Sequence, residues 1–172
     1  MLTQFRHIAL GGIALAAVWA GAALAQWPGG SAAVARLAPG FGGVCEACDL
    51  SGRVLAGARM TNAIFNETDF SGAVLQGVDA SHSAFIGANF NDADISYATL
   101  VRARFVRATF EGAKMAHVNA HGADFTRARL DRADLSGADL RGARGLTQAQ
   151  LDGACGDGAT RLPPGLHVTA CG

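Results

Sequence analysis

A chain of 172 residues with 14 basic and 14 acidic side chains has no formal net charge, so bulk electrostatics gives no reason to expect nucleic acid or an acidic substrate. Half of its residues are hydrophobic but only 7% are aromatic, with Gly and Ala abundant. Side chains this small fill a thin, regular core rather than a bulky globular one, and the length suits one domain with appendages.

The first 25 residues have the three parts of a secretory signal peptide. Arg6 and His7 form a short basic start, Ile8 to Gly21 is apolar and uncharged, and Ala23-Leu24-Ala25 supplies the small residues that precede a cleavage point. The apolar run is shorter than the roughly 20 residues that a membrane-spanning helix needs, so no permanent span is expected. Cleavage after Ala25 leaves a chain of formal charge −1 in the periplasm or outside the cell. No Cys lies near that point, so no lipoprotein modification is expected.

Residues 26–47 read as a linker and N-terminal cap. Gln26 to Gly30 and Pro39 to Gly43 are rich in Gly and Pro, and Ser31 is placed to cap a short helix with Val34 and Leu37 on one face. Four cysteines, Cys45, Cys48, Cys155 and Cys171, form an even set, which an oxidising compartment turns into disulfides rather than thiols or zinc ligands. Three pairings are open. The local ones, Cys45 with Cys48 and Cys155 with Cys171, are favoured because a long rigid segment separates the two pairs. Cys45-Glu46-Ala47-Cys48 also has the spacing of a redox motif, but no thioredoxin-like βαβ pattern surrounds it, and a structural role is expected.

Residues 48–142 divide into 19 rows of five with no insertion or deletion, starting at Cys48-Asp49-Leu50-Ser51-Gly52. The third column holds seven Leu, seven Phe, two Met and one Ile, broken only by Ala80 and Ala120. The first column is Ala in 13 rows, the second is Asp or Asn in nine, and the fifth is Gly in nine. Every Phe of the segment falls in the third column. A helix places apolar residues every 3.6 positions and a strand every 2, so a strict period of five fits neither and marks a solenoid.

On Ala123-Asp124-Phe125, Ala133-Asp134-Leu135 and Ala138-Asp139-Leu140, the segment resembles the pentapeptide-repeat family, whose motif is Ala-(Asp/Asn)-Leu-X-X. The resemblance implies an all-β solenoid, a right-handed quadrilateral β-helix of just under five coils with short caps at both ends. Each row would then form one side of a square coil, with the first and third columns inward. At a ladder spacing of roughly 4.8 Å the rod would be about 23 Å long. Four rows to a coil put Phe65, Phe85, Phe105 and Phe125 in one inward column and Phe70, Phe90 and Phe110 in the next. The two Ala exceptions each have Val two positions earlier, Val78 and Val118, so volume lost at one inward position returns at its neighbour. Arg53 occupies an inward position of the first coil and breaks the pattern there.

Residues 143–172 read as a C-terminal cap. Thr147 is a plausible N-cap for a short helix over 148–151 that lays Leu146 and Leu151 on the last coil. Leu162-Pro163-Pro164-Gly165-Leu166 is a rigid turn, and a Cys155–Cys171 bridge would close the tail.

No catalytic, cofactor-binding or metal-binding constellation is expected. A square rod presents flat faces rather than a concavity where reactive groups converge. His82 and His121 share a face two coils apart, about 9–10 Å, too far to hold one metal. His117 and His121 are expected in adjacent rows at a corner and are the only pair worth testing for a metal. The recurrent second-column Asp is the repeat rule rather than a catalytic dyad.

Charge along the rod is uneven. Residues 48–97 carry six acids and two bases, net −4, and residues 98–142 carry eight bases and five acids, net +3. Arg102, Arg104, Arg107 and Arg127 are expected to crowd one corner, either as a solvated surface salted by Asp124 and Asp131 or as a contact for an acidic partner: polysaccharide, lipid headgroup or protein. The expected function is therefore a non-enzymatic structural or protein-interaction module of the cell envelope, with its partner and oligomeric state left open. The resemblance also offers a DNA-mimicking protector of gyrase, which an export signal and a basic half disfavour; no nucleic-acid partner is expected.

Overall fold

The computed structural model describes residues 43–172. The expected signal peptide and the Ser31-capped helix lie outside the described residues.

The chain winds as a right-handed quadrilateral β-helix. Second-column residues pair in parallel with the residue twenty positions later, from Val44 with Ile64 to Asp124 with Arg144, so four rows complete one coil. We number the faces by their inward third-column residues. Face 1 carries Cys45, Phe65, Phe85, Phe105 and Phe125; face 2 carries Leu50, Phe70, Phe90, Phe110 and Leu130. Face 3 carries Leu55, Leu75, Ile95, Met115 and Leu135; face 4 carries Met60, Ala80, Leu100, Ala120 and Leu140.

The five-residue rule follows from where each backbone group finds a partner. In a typical row, Leu55 N–H donates to Val74 C=O of the next coil (2.7 Å) and Gly57 N–H to Gln76 C=O (2.8 Å). The second-column N–H of Val74 returns to Arg53 C=O (2.8 Å), and the first-column N–H of Ala58 closes the corner on Leu55 C=O (3.0 Å). The fourth-column N–H is left without a backbone acceptor. Second-column Asp and Asn supply one: in all nine such rows the side-chain Oδ1 accepts from the N–H two residues on, as Asp69 does from Ser71 (2.9 Å) and Asp134 from Ser136 (2.9 Å). This is the Asx-turn geometry, and it is the physical content of the Asp/Asn column.

The fifth column is explained by its dihedral. Every fifth-column residue of the 19 rows has φ between 56° and 69°, the left-handed value that the third position of a type II turn requires. Gly meets it without strain; Asn62, Tyr97, Arg102 and others adopt it at a local cost.

The first and third columns form one continuous core. Phe65, Phe85, Phe105 and Phe125 stack with ring centroids 5.5, 5.2 and 5.2 Å apart, and Phe70, Phe90 and Phe110 at 4.9 and 5.0 Å. Edge-to-face contacts such as Phe85 to Phe90 (5.4 Å) join the two ladders. Val78 with Ala80 and Val118 with Ala120 are all buried, as exchange of volume between neighbouring positions requires. The polar first-column residues are satisfied inside: Thr68 Oγ1 donates to Cys45 C=O (2.5 Å), and Ser83 Oγ donates to Met60 C=O while accepting from Ala63 N–H. Arg53 is exposed, so its inward register in the first coil places no charge in the core.

The ladder begins one row before the periodic sequence does. Gly43 and Val44 do not match the motif, yet Cys45 N–H donates to Ile64 C=O (2.8 Å) and Ala47 N–H to Asn66 C=O (2.9 Å). Coil pairing is made by backbone, which any residue supplies, so the segment assigned from sequence to the cap at 26–47 enters the coil at 43.

At the other end, helix α1 (Gln148–Leu151) is capped by Thr147 in a reciprocal capping box with Gln150. Gln150 Nε2 also donates to Phe125 C=O (3.0 Å), which already accepts from Ala128 N–H at its corner, and to Ala128 C=O (2.7 Å), a first-column carbonyl that has no further coil to pair with. Leu151 is buried, and Leu146, Leu162, Leu166 and Val168 pack against the core. Gly145 is obligatory at the exit: a Cβ there would lie 2.5 Å from Thr126 Cα, and its φ is 70°. The tail then extends the ladder, Asp134 pairing with Cys155 and Asp139 with Arg161, and strand β1 (Cys155–Gly156) pairs in parallel with β2 (Thr169–Ala170).

Candidate interaction face

Both local cysteine pairs are bonded. Cys45 joins Cys48 across the first corner with Cα atoms 5.6 Å apart, and Cys155 joins Cys171 at 4.8 Å, tying β1 to β2. Asp134 lies beside Cys155 and Cys171, the one trio of potential metal ligands among the described residues. Its two sulfurs are consumed by their mutual bond and offer no thiolate. His117 and His121 sit on different corners; the His117 ring stacks on Tyr97 with centroids 5.0 Å apart.

The four arginines expected at one corner are spread across face 1 instead. Arg104 stands in the middle of the face, in the ladder Val44, Ile64, Ala84, Arg104, Asp124, Arg144. Arg107 and Arg127 occupy consecutive coils of the edge toward face 2, and Arg102 sits on the opposite edge. The reason is the period itself: residues five apart lie on successive corners, so Arg102 and Arg107 flank a face rather than share a corner. All four side chains are exposed, and among the described residues none makes a hydrogen bond or ion pair.

Neither acid expected to salt them forms an ion pair with any of the four, although Asp124 stands between Arg104 and Arg144 in the ladder. Asp124 accepts from the N–H and the hydroxyl of Thr126 (2.9 and 2.6 Å). Asp131 lies on the corner between faces 2 and 3 and pairs with Arg129 at 3.3 Å. Glu111 pairs with Arg129 and Arg132, and Arg141 with Asp139 at 2.6 Å. Basic charge without a partner is thus concentrated on the upper half of face 1, with Arg144 adding a fifth exposed arginine there.

The lower half of the same face has the opposite character. Glu46, Asn66, Glu67 and Ile86 line a shallow hollow. Val44, 66% exposed, and half-buried Ile64, Ala84, Ile86 and Val106 make an apolar stripe that runs from the first coil to the fourth, alongside Glu46 and Glu67 and then Arg104 and Arg107. Sequence reasoning found the arginines and missed Arg144, the glutamates and the stripe. The spacing of twenty that aligns the inward columns aligns the outward ones too, and that signal would have shown them.

The family description "Pentapeptide repeats" matches eight copies over residues 45–79, 73–112 and 103–142. Among curated protein sequences none matches this one. Similar solved structures include the pentapeptide repeat protein Rfr23 of the cyanobacterium Cyanothece 51142, at 21% identity and TM-score 0.46, covering 69% of this chain and 90% of that one. A pentapeptide repeat protein of Nostoc PCC 7120 has 24% identity and TM-score 0.43 over 69% of this chain and 77% of its own. One from the thylakoid lumen of Arabidopsis thaliana has 25% identity and TM-score 0.38 over 66% and 79%.

Proposed function

This chain belongs to the pentapeptide-repeat family, and we propose that it acts as an exported, non-enzymatic interaction module of the cell envelope whose working surface is face 1. The observation that carries this reading is the set of exposed arginines, Arg102, Arg104, Arg107 and Arg127, with which no acid of the described residues forms an ion pair. A rigid β-helix holds such charges at fixed spacing, which favours a partner carrying acidic groups by both steering and register. Export rests on the first 25 residues and the paired cysteines, since disulfides persist in oxidising compartments.

The test is a pull-down from envelope extract comparing the wild type with Arg102→Glu/Arg107→Glu. An acidic partner retained by the wild type and lost on reversal is expected. Retention that reversal leaves unchanged sinks the assignment of face 1. Export itself is tested by locating the protein after fractionation and sequencing its N-terminus, which should begin at Gln26.

A further inference from the structure

Face 1 carries Glu46 and Glu67 at one end and its arginines at the other, with apolar side chains running alongside both, and this order makes it complementary to itself when one copy is turned end over end. We propose that face 1 pairs with face 1 of a second copy in an antiparallel, two-fold arrangement. The inference rests on the reading of face 1 as the interaction face and names its partner.

The register follows from the ladder. Coils are equally spaced, Glu67 lies in the second coil, Ile86 in the third, Val106 in the fourth and Arg127 in the fifth. A two-fold axis lying in the interface, across the rods and between the third and fourth coils, brings second to fifth and third to fourth. It also keeps each column opposite itself. Fifth-column Glu67 then meets fifth-column Arg127 of the second copy, and fourth-column Ile86 meets fourth-column Val106. Both contacts occur twice, as an isologous interface demands. The parallel two-fold arrangement would set each coil against the same coil with the two edges exchanged, bringing Arg104 against Arg104 and Arg107 toward Arg102, so charge selects the antiparallel one.

The hollow at Glu46, Asn66, Glu67 and Ile86 supplies a seat for an arginine from the opposing copy. Among the described residues nothing covers the stripe, and Val44 at its lower end is 66% exposed. A single face of a five-coil rod is small beside a standard interface, so the pairing belongs to the weak, reversible class and strengthens at low salt.

Purified full-length protein is followed by sedimentation velocity over a range of concentration and salt. A monomer–dimer equilibrium is expected. Glu67→Arg or Arg127→Glu should each weaken it by about tenfold or more, since one substitution spoils two contacts. An equimolar mixture of the two variants should restore association. One variant then carries arginine at both positions and the other glutamate at both, so each contact across the axis again joins opposite charges. Glu67→Arg is tolerable in its left-handed position, where Arg102 and Arg107 already adopt φ of 56° and 61°. A protein monomeric under all conditions, a dimer indifferent to either reversal, or no restoration in the mixture overturns the proposal. Glu67→Arg leaves all four arginines of the proposed partner surface in place. A wild type that stays monomeric while holding an acidic partner therefore removes this inference alone, and a dimer whose partner binding ignores the Arg102/Arg107 reversal removes the broader reading alone.

Discussion

Asp139 shows how one column position does three jobs. It accepts from its corner N–H, takes a bidentate contact from Arg141 and sits in the ladder next to Arg161. The hydrogen-bonded guanidinium of Arg141 holds its carboxyl at about 2, below the ordinary 3.8, against an opposing effect of burial. The Ser51 hydroxyl lowers Asp49, and the Gly137 N–H lowers Asp157. At Asp94 burial opposes the shift and the hydrogen bonds from Ser96 and Gln76 prevail. A carboxyl depressed in the folded state contributes stability that is complete above its unfolded pKa and is lost as pH falls through the folded one. Urea unfolding should therefore give a stability that is flat down to about pH 5 and falls between about 4 and 2. Asp139→Asn should lower stability at neutral pH and shrink that acid slope, leaving the corner hydrogen bond in place through the amide oxygen. The Asp/Asn, Gly and Phe columns were all visible in the sequence because each answers a need of a single row: an orphan N–H, a left-handed dihedral, an inward volume.

At the scale of the element, the rod is two aromatic ladders facing a mixed aliphatic side. Phe85 touches four other rings, Phe65, Phe70, Phe90 and Phe105. Phe85→Ala should cost about 3–5 kcal/mol in chemical denaturation, with Phe85→Leu milder because Leu fills the same column elsewhere. Volume exchange at Val118 and Ala120 makes a sharper prediction. Val118→Ala leaves a void worth about 2 kcal/mol and Ala120→Leu overpacks by about 1–3 kcal/mol. The double substitution, which regenerates the common Ala-X-Leu row, should cost less than the sum by about 1 kcal/mol or more. The C-terminal cap depends on covalent closure: Cys155→Ser with Cys171→Ser opens a loop of sequence separation 16 and should destabilise by about 3 kcal/mol. Thr147 and the leucines of this cap were legible as a helix-start signal with apolar neighbours. Gln150 reaching back to Ala128 was not, because that carbonyl becomes an orphan only where the rod ends.

Across the whole molecule, each coil contacts only its neighbours, so stability is a sum of nearest-neighbour terms and the ends are its weakest points. Amide exchange should be slowest in the coils spanning 85–110 and faster in the first coil, and reduction of the Cys45–Cys48 bond should accelerate the first coil further while leaving 85–110 unchanged. Period, inward columns and local cysteine pairs could be read from the sequence by itself, since all depend on separations of five, twenty or a few residues along the chain. Where the outward charges meet could not. Arg102 and Arg107 are near in sequence but stand on opposite edges of a face, while Arg107 and Arg127, or Glu46 and Ile86, are distant in sequence and stacked in space. The acidic, apolar and basic zones of face 1 exist only once coils are superposed. Outward side chains are free of the packing that imposes a pattern on inward ones, and for that reason the tertiary structure alone decided what surface this protein presents.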